Sequence, residues 1–275
     1  MTKTSGSAAC GINDSWVEHP RGRMFVRTWT PASDDAADGA ARQRAPVVLF
    51  HDSLGCVELW REFPEALCVA TGRRVIAYDR LGFGRSDARD DVLALDFVAD
   101  EACTYFPVLR EQLGIGHFVG FGHSVGGGMA IHCAAAFPAT CDALVTVAAQ
   151  VFPEDRTLQG IVAAKAQFQD AAQVERLAKY HGAKARWVLD AWTEIWLHPA
   201  FASWSLAAVL PKVVCPVLAI HGIHDEYGSP VHPEMIGELS GGLARVEIIP
   251  DARHMPHREQ PELIVGMIAD FLAAK

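Results

Sequence analysis

The sequence predicts an α/β fold, a mostly parallel central sheet flanked by helices with a helical cap inserted between two of its strands. Two observations predict it. From Val47 onward, short runs rich in Val, Ile, Leu and Ala alternate with helical stretches, the pattern of a parallel sheet covered on both faces. That rhythm then stops between Ala149 and Pro211, where only helical segments occur.

Taken in order, Trp16-Val17 and residues 24–29 flank the turn signal Pro20-Arg21-Gly22-Arg23 and read as an antiparallel hairpin at the sheet edge. The Ala/Asp-rich stretch from Ala32 to Ala45 reads as a mobile surface loop between strands. Residues 46–51, 74–78, 117–122, 143–148, 216–222 and 245–250 read as strands, and their near-continuous apolar content suits burial on both faces. Helices are expected over 59–70, 96–113, 125–137, 233–239 and 260–273. Within the interruption, 158–168, 171–180 and 183–196 read as helices. Ordinary connections run to ~2–6 residues, so an insertion this long is expected to cover a site. The organisation expected is a core over 1–149 and 212–275 with a cap over 150–211.

At 275 residues the chain fits one large domain or a core carrying an insertion. Its net charge of −9 argues against nucleic acid, whose phosphates need a basic face. No apolar run approaches the roughly 18 residues that span a membrane, and Met1 to Asp14 lacks the apolar core of a secretory signal. The seven cysteines are scattered without C-x-x-C spacing and read as small buried hydrophobes in a reducing compartment. A cytoplasmic monomer or homodimer acting on a small molecule is expected, with no nucleic-acid or membrane partner.

The chemistry centres on Gly122-His123-Ser124-Val125-Gly126, placed where the strand His117-Phe118-Val119-Gly120-Phe121 turns into a helix that ends before Pro138. A serine on such a strained turn presents its hydroxyl above the sheet, and the flanking glycines let neighbouring chain approach. The rival is a structural glycine turn with an idle serine. A serine alcohol needs a base, and in open sheets reacting groups gather at the carboxyl ends of strands. Asp225 follows the strand ending at Gly222, and His254 follows the strand ending near Pro250. Ser124, Asp225 and His254 thus form a candidate triad, with His254 as general base and then acid, and Asp225 fixing its tautomer.

Glu226 beside Asp225 and His257 beyond His254 are the rivals. The spacing of His221, His224 and His254 matches no standard metal pattern, so neither metal nor organic cofactor is implied. The oxyanion of a tetrahedral intermediate needs two donors. The expected ones are the Val125 N–H and a donor in His51-Asp52-Ser53-Leu54-Gly55, with Ser53 best placed and Leu54 the alternative. Asp52 there must point its carboxylate away from the developing charge. Leu54, His123, Trp192 and Trp196 are candidate pocket residues; the two tryptophans are four apart and share a helix face.

With these motifs in place, the chain resembles the α/β-hydrolase superfamily from about Ser15 to its C-terminus. Tyr78-Asp79-Arg80-Leu81-Gly82-Phe83-Gly84-Arg85-Ser86 is similar to the family's Y-D-x-x-G-x-G-x-S segment, and the stretch from His254 to Pro261 is similar to that around its catalytic histidine. Within the superfamily, the chain resembles capped biphenyl-hydrolase-like (valacyclovir-hydrolase-type) esterases, 3-oxoadipate enol-lactonases and carbon–carbon hydrolases. It departs from the first at Val125, where those enzymes carry an aspartate, and from the usual His-Gly at His51-Asp52. The resemblance implies a serine hydrolase of a small carboxylic ester, lactone or thioester. The alternatives are carbon–carbon hydrolysis or acyl transfer, including perhydrolysis, at the same triad, and a non-turnover ligand receptor.

Overall fold

In the computed structural model, residues 10–32 and 44–273 are described. The stretch from Ala32 to Ala45, expected as a loop, lies outside them except for its ends, as do residues 1–9 of the polar start. Eight strands form one sheet in the order β1-β2-β4-β3-β5-β6-β7-β8. They are β1 Cys10–Val17, β2 Met24–Pro31, β3 Val47–Phe50, β4 Val75–Tyr78, β5 Phe118–His123, β6 Cys141–Val147, β7 Val217–Gly222 and β8 Ala244–Ile249. Pairing is antiparallel for β1·β2 and β2·β4 and parallel for the rest, so the sheet is mixed but mostly parallel.

Strand burial follows the sequence pattern except at β8, expected to be buried on both faces: it is a sheet edge, and its residues before Ile249 are exposed or half-buried. All residues of β3, β4, β5 and β7 are buried, because helices cover both faces. Alternate residues serve opposite faces: Val48 and Phe50 join one apolar core with Ile76, Tyr78 and Met129, while Val47 and Leu49 join another with Val75 and Phe121. The edge strand β1 is longer than the hairpin expectation. Its residues 11–14 are all exposed and therefore carry no apolar alternation to read.

The longer helices are α1 Phe63–Thr71, α2 over 97–112, α3 Val125–Ala136, α4 Asp155–Gln167, α5 Ala171–His181, α6 Ala185–Trp196, α7 Val231–Leu239 and α8 Pro261–Ala273. The helix expected over 59–70 is split. A 3-10 turn, Val57–Trp60, ends at Arg61 with φ 53°, and α1 restarts with Pro64 in its first turn, where the missing N–H costs nothing. In α2, Pro107 removes an interior hydrogen bond, and the helix widens into a π turn, Glu101–Tyr105, just ahead of it.

Helices α4, α5 and α6 lie between β6 and β7 and form the helical cap. Glu154 and Thr157 make a reciprocal capping box at the start of α4. The cap is tied to the sheet through His181, whose Nδ1 accepts the Gly84 N–H at 2.9 Å while its Nε2 donates to the Leu54 carbonyl at 3.0 Å. Among the described residues, no helix is long and apolar enough to cross a membrane.

Candidate active site

Ser124 sits between β5 and α3 with φ 55° and ψ −126°, a conformation that costs a non-glycine residue about 1–3 kcal/mol. The surrounding structure holds it there. The Ser124 N–H donates to the Val147 carbonyl at 2.9 Å, and its own carbonyl accepts from Gly127 N at 2.8 Å. A side chain at Gly122 would collide with the Gly126 carbonyl, and one at Gly126 with the Phe50 carbonyl. Both obstacles are backbone, so neither can move aside.

Asp225 lies in the turn after β7, almost fully buried, and both its oxygens accept from His254 Nδ1, at 2.9 and 2.8 Å. Its Oδ1 also accepts the N–H groups of Tyr227, at 2.7 Å, and Gly228, at 3.2 Å. His221 Nε2 stands 3.3 Å from Oδ2 and 3.1 Å from the Gly228 carbonyl. Burial would raise the Asp225 pKa, but the His254 charge and hydrogen bond, with His221 and the Tyr227 N–H, hold it below the ordinary carboxylate value. For His254, burial opposes the charged form, yet the Asp225 charge and hydrogen bond, joined by the Asp52 charge, raise its pKa above that of an ordinary imidazole. Glu226, the rival acid, is exposed. His257, the rival base, is buried beside the His123 ring, 4.5 Å between centroids, with burial pushing its pKa well down.

Ser124 and His254 line one cavity, together with Ser53, Leu54, Trp192 and Trp196. The Ser124 hydroxyl donates to Gln150 Oε1 at 3.5 Å, and no bond from it to His254 occurs among the described residues. Catalytic hydrogen bonds commonly tighten only in the substrate complex. In the loop after β3, Asp52 Oδ1 accepts the Leu54 N–H at 2.9 Å, so that N–H is already engaged. The other Asp52 oxygen lies 3.2 Å from His123 Nδ1. Burial would raise the Asp52 pKa, but the His123 bond and the charges of His123, His51 and Arg258 hold it far below the ordinary value.

His123, expected at the pocket, is not among the residues lining this cavity. Its ring is fully buried, reaching Asp52 from Nδ1 and donating from Nε2 to the His254 carbonyl at 2.8 Å. It is a strut between the loop after β3 and the loop after β8, buried as the last residue of β5. Val125 lines a smaller adjoining chamber instead. Gln150, Thr157, Ile161, Tyr227 and Met255 also line the main cavity and were not anticipated. Gln150, Tyr227 and Met255 follow the carboxyl ends of β6, β7 and β8, the position rule that located Asp225 and His254, so these three had a readable signal. Among the described residues, no group of three or more His, Cys, Asp and Glu side chains is arranged to hold a metal ion.

Comparison with known proteins places this geometry. Residues 45–200 match the alpha/beta hydrolase fold family. A proline iminopeptidase of Lactobacillus delbrueckii subsp. lactis is 34% identical over 84 residues, which span 30% of this chain and 29% of that protein. Two solved structures share the fold nearly end to end. A proline iminopeptidase of Mycobacterium smegmatis has a TM-score of 0.69 at 21% identity, covering 95% of this chain and 98% of its own. The enol-lactonase of Burkholderia xenovorans LB400 also scores 0.69, at 18% identity, covering 94% of this chain and 100% of its own. The likenesses thus spread over peptidase and lactonase names, with none dominant.

Proposed function

The chain belongs to the alpha/beta hydrolase fold family, and from that premise we propose that it is a serine hydrolase that cleaves a small carboxylic ester, lactone or thioester through an acyl-enzyme on Ser124. The observation that carries this reading is the Asp225–His254 pair, 2.8 Å apart, whose histidine lines the same cavity as a serine held at φ 55°. With Nδ1–H committed to Asp225, Nε2 is the nitrogen left to take the Ser124 proton. Ser124 Oγ then bonds the substrate carbonyl carbon, and the oxyanion rests on the N–H groups of Ser53 and Val125. His254 returns the proton to the leaving alcohol, lactone oxygen or thiol as the C–O or C–S bond breaks. Water, deprotonated by His254, cleaves the acyl-enzyme and frees the acid and Ser124.

In this reading residues 150–211 act as the cap domain over a core of 1–149 and 212–275, and the protein works in a reducing, cytoplasmic setting, as seven cysteines without a disulfide suggest. The lining is largely apolar with two tryptophans, which favours an apolar or aromatic portion in the substrate.

The test is turnover of p-nitrophenyl esters from acetate to octanoate by wild type and Ser124→Ala. Removing the nucleophile is expected to lower kcat by roughly 10⁴–10⁶, with a chain-length optimum in the wild type. Equal turnover by the variant would refute the assignment.

A further inference from the structure

After β7 ends at Gly222, residues 225–229 form no regular structure, and their main-chain groups need partners from elsewhere. The start of the cap helix α4 supplies several. Arg156 Nη1 donates to the Asp225 carbonyl at 3.0 Å, and Thr157 Oγ1 donates to the Tyr227 carbonyl at 2.6 Å. Glu154 Oε2 accepts the Ser229 N–H at 2.8 Å, and its Oε1 accepts the Ser229 hydroxyl at 2.6 Å. His232 holds the same carboxylate in place. Its Nδ1 accepts the Val151 N–H at 3.1 Å, so its Nε2 carries the proton and donates to Glu154 Oε2, also at 3.1 Å. From the sheet, His221 Nε2 donates to the Gly228 carbonyl. Helix and turn also pack closely, since a Cβ at Gly160 would stand 2.9 Å from the Tyr227 ring.

Thr157 is central to this arrangement. It is 2% exposed, its hydroxyl also accepts the Glu154 N–H at 3.2 Å, and it lines the cavity that Ser124 and His254 line. Its partner Tyr227 is the residue whose N–H donates to Asp225 Oδ1 at 2.7 Å. One hydroxyl on the cap thus fixes the peptide that holds the carboxylate.

We propose that Thr157 is a positioning residue for catalysis: through the Tyr227 main chain it sets the Asp225 carboxylate against His254, so that the cap aims the triad as well as covering it. This rests on the acyl-enzyme reading above. Substrate that meets the start of α4 therefore meets the support of Asp225.

Thr157→Val keeps the branched shape and removes only the hydroxyl, leaving the Tyr227 carbonyl and the Glu154 N–H without that partner. For p-nitrophenyl acetate, kcat/KM is expected to fall by roughly 10-fold, the worth of one hydrogen bond. The acidic limb of its pH profile is expected to move to lower pH. An Asp225 turned from His254 raises the imidazole's proton affinity less, while burial still lowers it. The other groups around the pair are unchanged: the Asp52 and Glu226 charges, the His221, His123 and His257 imidazoles, the Tyr227 ring, and Arg156 on the Asp225 carbonyl. Thr157→Ser restores the donor and is expected to keep the wild-type limb and most of the rate.

A fall in Tm for Thr157→Val with kcat/KM and the limb unmoved overturns the proposal, as does equal loss in the Val and Ser variants. Should Thr157→Val fail to fold, Thr157→Cys is compared with Thr157→Ser, two side chains of like shape that differ in donor strength. Slower turnover and a lower limb for Cys are expected, and identical profiles overturn the proposal. Ser124→Ala, run in parallel, separates the two readings. Ser124-dependent turnover that Thr157→Val leaves unchanged removes the positioning role alone. Turnover that is absent from the wild type, or that Ser124→Ala retains, removes the acyl-enzyme reading and this role with it.

Discussion

The sheet side and the cap side of the cavity are held by different means. On the sheet side, Gly122 against Gly126 and Gly126 against Phe50 press backbone on backbone, leaving no room for a single Cβ. On the cap side the fastenings are side chains: His181 to Gly84 and Leu54, Thr157 to the Tyr227 carbonyl at 2.6 Å, and Glu154 to Ser229 Oγ at 2.6 Å. Backbone contacts cannot be exchanged without moving chain, whereas a side-chain tie can be replaced at the cost of one or two hydrogen bonds. The candidate triad therefore stands on the inflexible part, and the cap wall of the cavity stands on the replaceable one.

Substitutions on the two sides should differ accordingly. The largest effect is expected from Asp225→Asn, which leaves packing intact but lowers kcat by roughly 10⁴. Its pH profile is diagnostic. His254 acts as base when neutral, and its pKa is raised above the ordinary 6.5, so the acidic limb of wild-type kcat/KM should lie above 6.5. Without the Asp225 charge, burial dominates and the limb should move to lower pH. A limb that stays put would detach Asp225 from His254.

Gly126→Ala drives a Cβ into the Phe50 carbonyl and is expected to cost about 4 kcal/mol or more, read as a fall in Tm together with lost turnover. His181→Ala removes two bonds between cap and sheet, an expected loss of about 1–3 kcal/mol. Raised KM with a smaller change in kcat would locate that effect in the cap, whereas a fall in kcat alone would place it in the oxyanion loop. The smallest effect belongs to Trp192→Ala. This half-buried ring meets Tyr227 edge-on at 6.0 Å, and KM for an aromatic ester should rise by roughly 10-fold, with kcat for ethyl acetate little changed.

The same division explains what the sequence could reveal. Strands β3 to β7 were readable because burial on both faces demands unbroken apolar runs, and the Ser124 turn because its glycines are sterically compelled. Asp225 and His254 were readable because each closely follows a strand end. The first half of β1 was not, since an exposed edge imposes no pattern. The break at Arg61 was marked only by Pro64, which a helix reading accepts in a first turn as readily as at a boundary. The role of His123 was hidden because its partners, Asp52 and His254, are distant in sequence. Thr157 and Ile161 reach the cavity through the register of the first cap helix, which hydrophobic period alone leaves undetermined. Gln150, Tyr227 and Met255 were within reach of the strand-end rule.

The acyl-enzyme on Ser124 is the most direct thing to measure. Wild type and Ser124→Ala, each quenched in acid within the first turnover of p-nitrophenyl acetate, would be weighed intact by mass spectrometry and then mapped by peptide. The expected result is one acetyl group on the wild type, in the peptide that carries Ser124, and none on the variant. An acetyl group on another residue, or on both proteins alike, would contradict the assignment of Ser124 as the nucleophile.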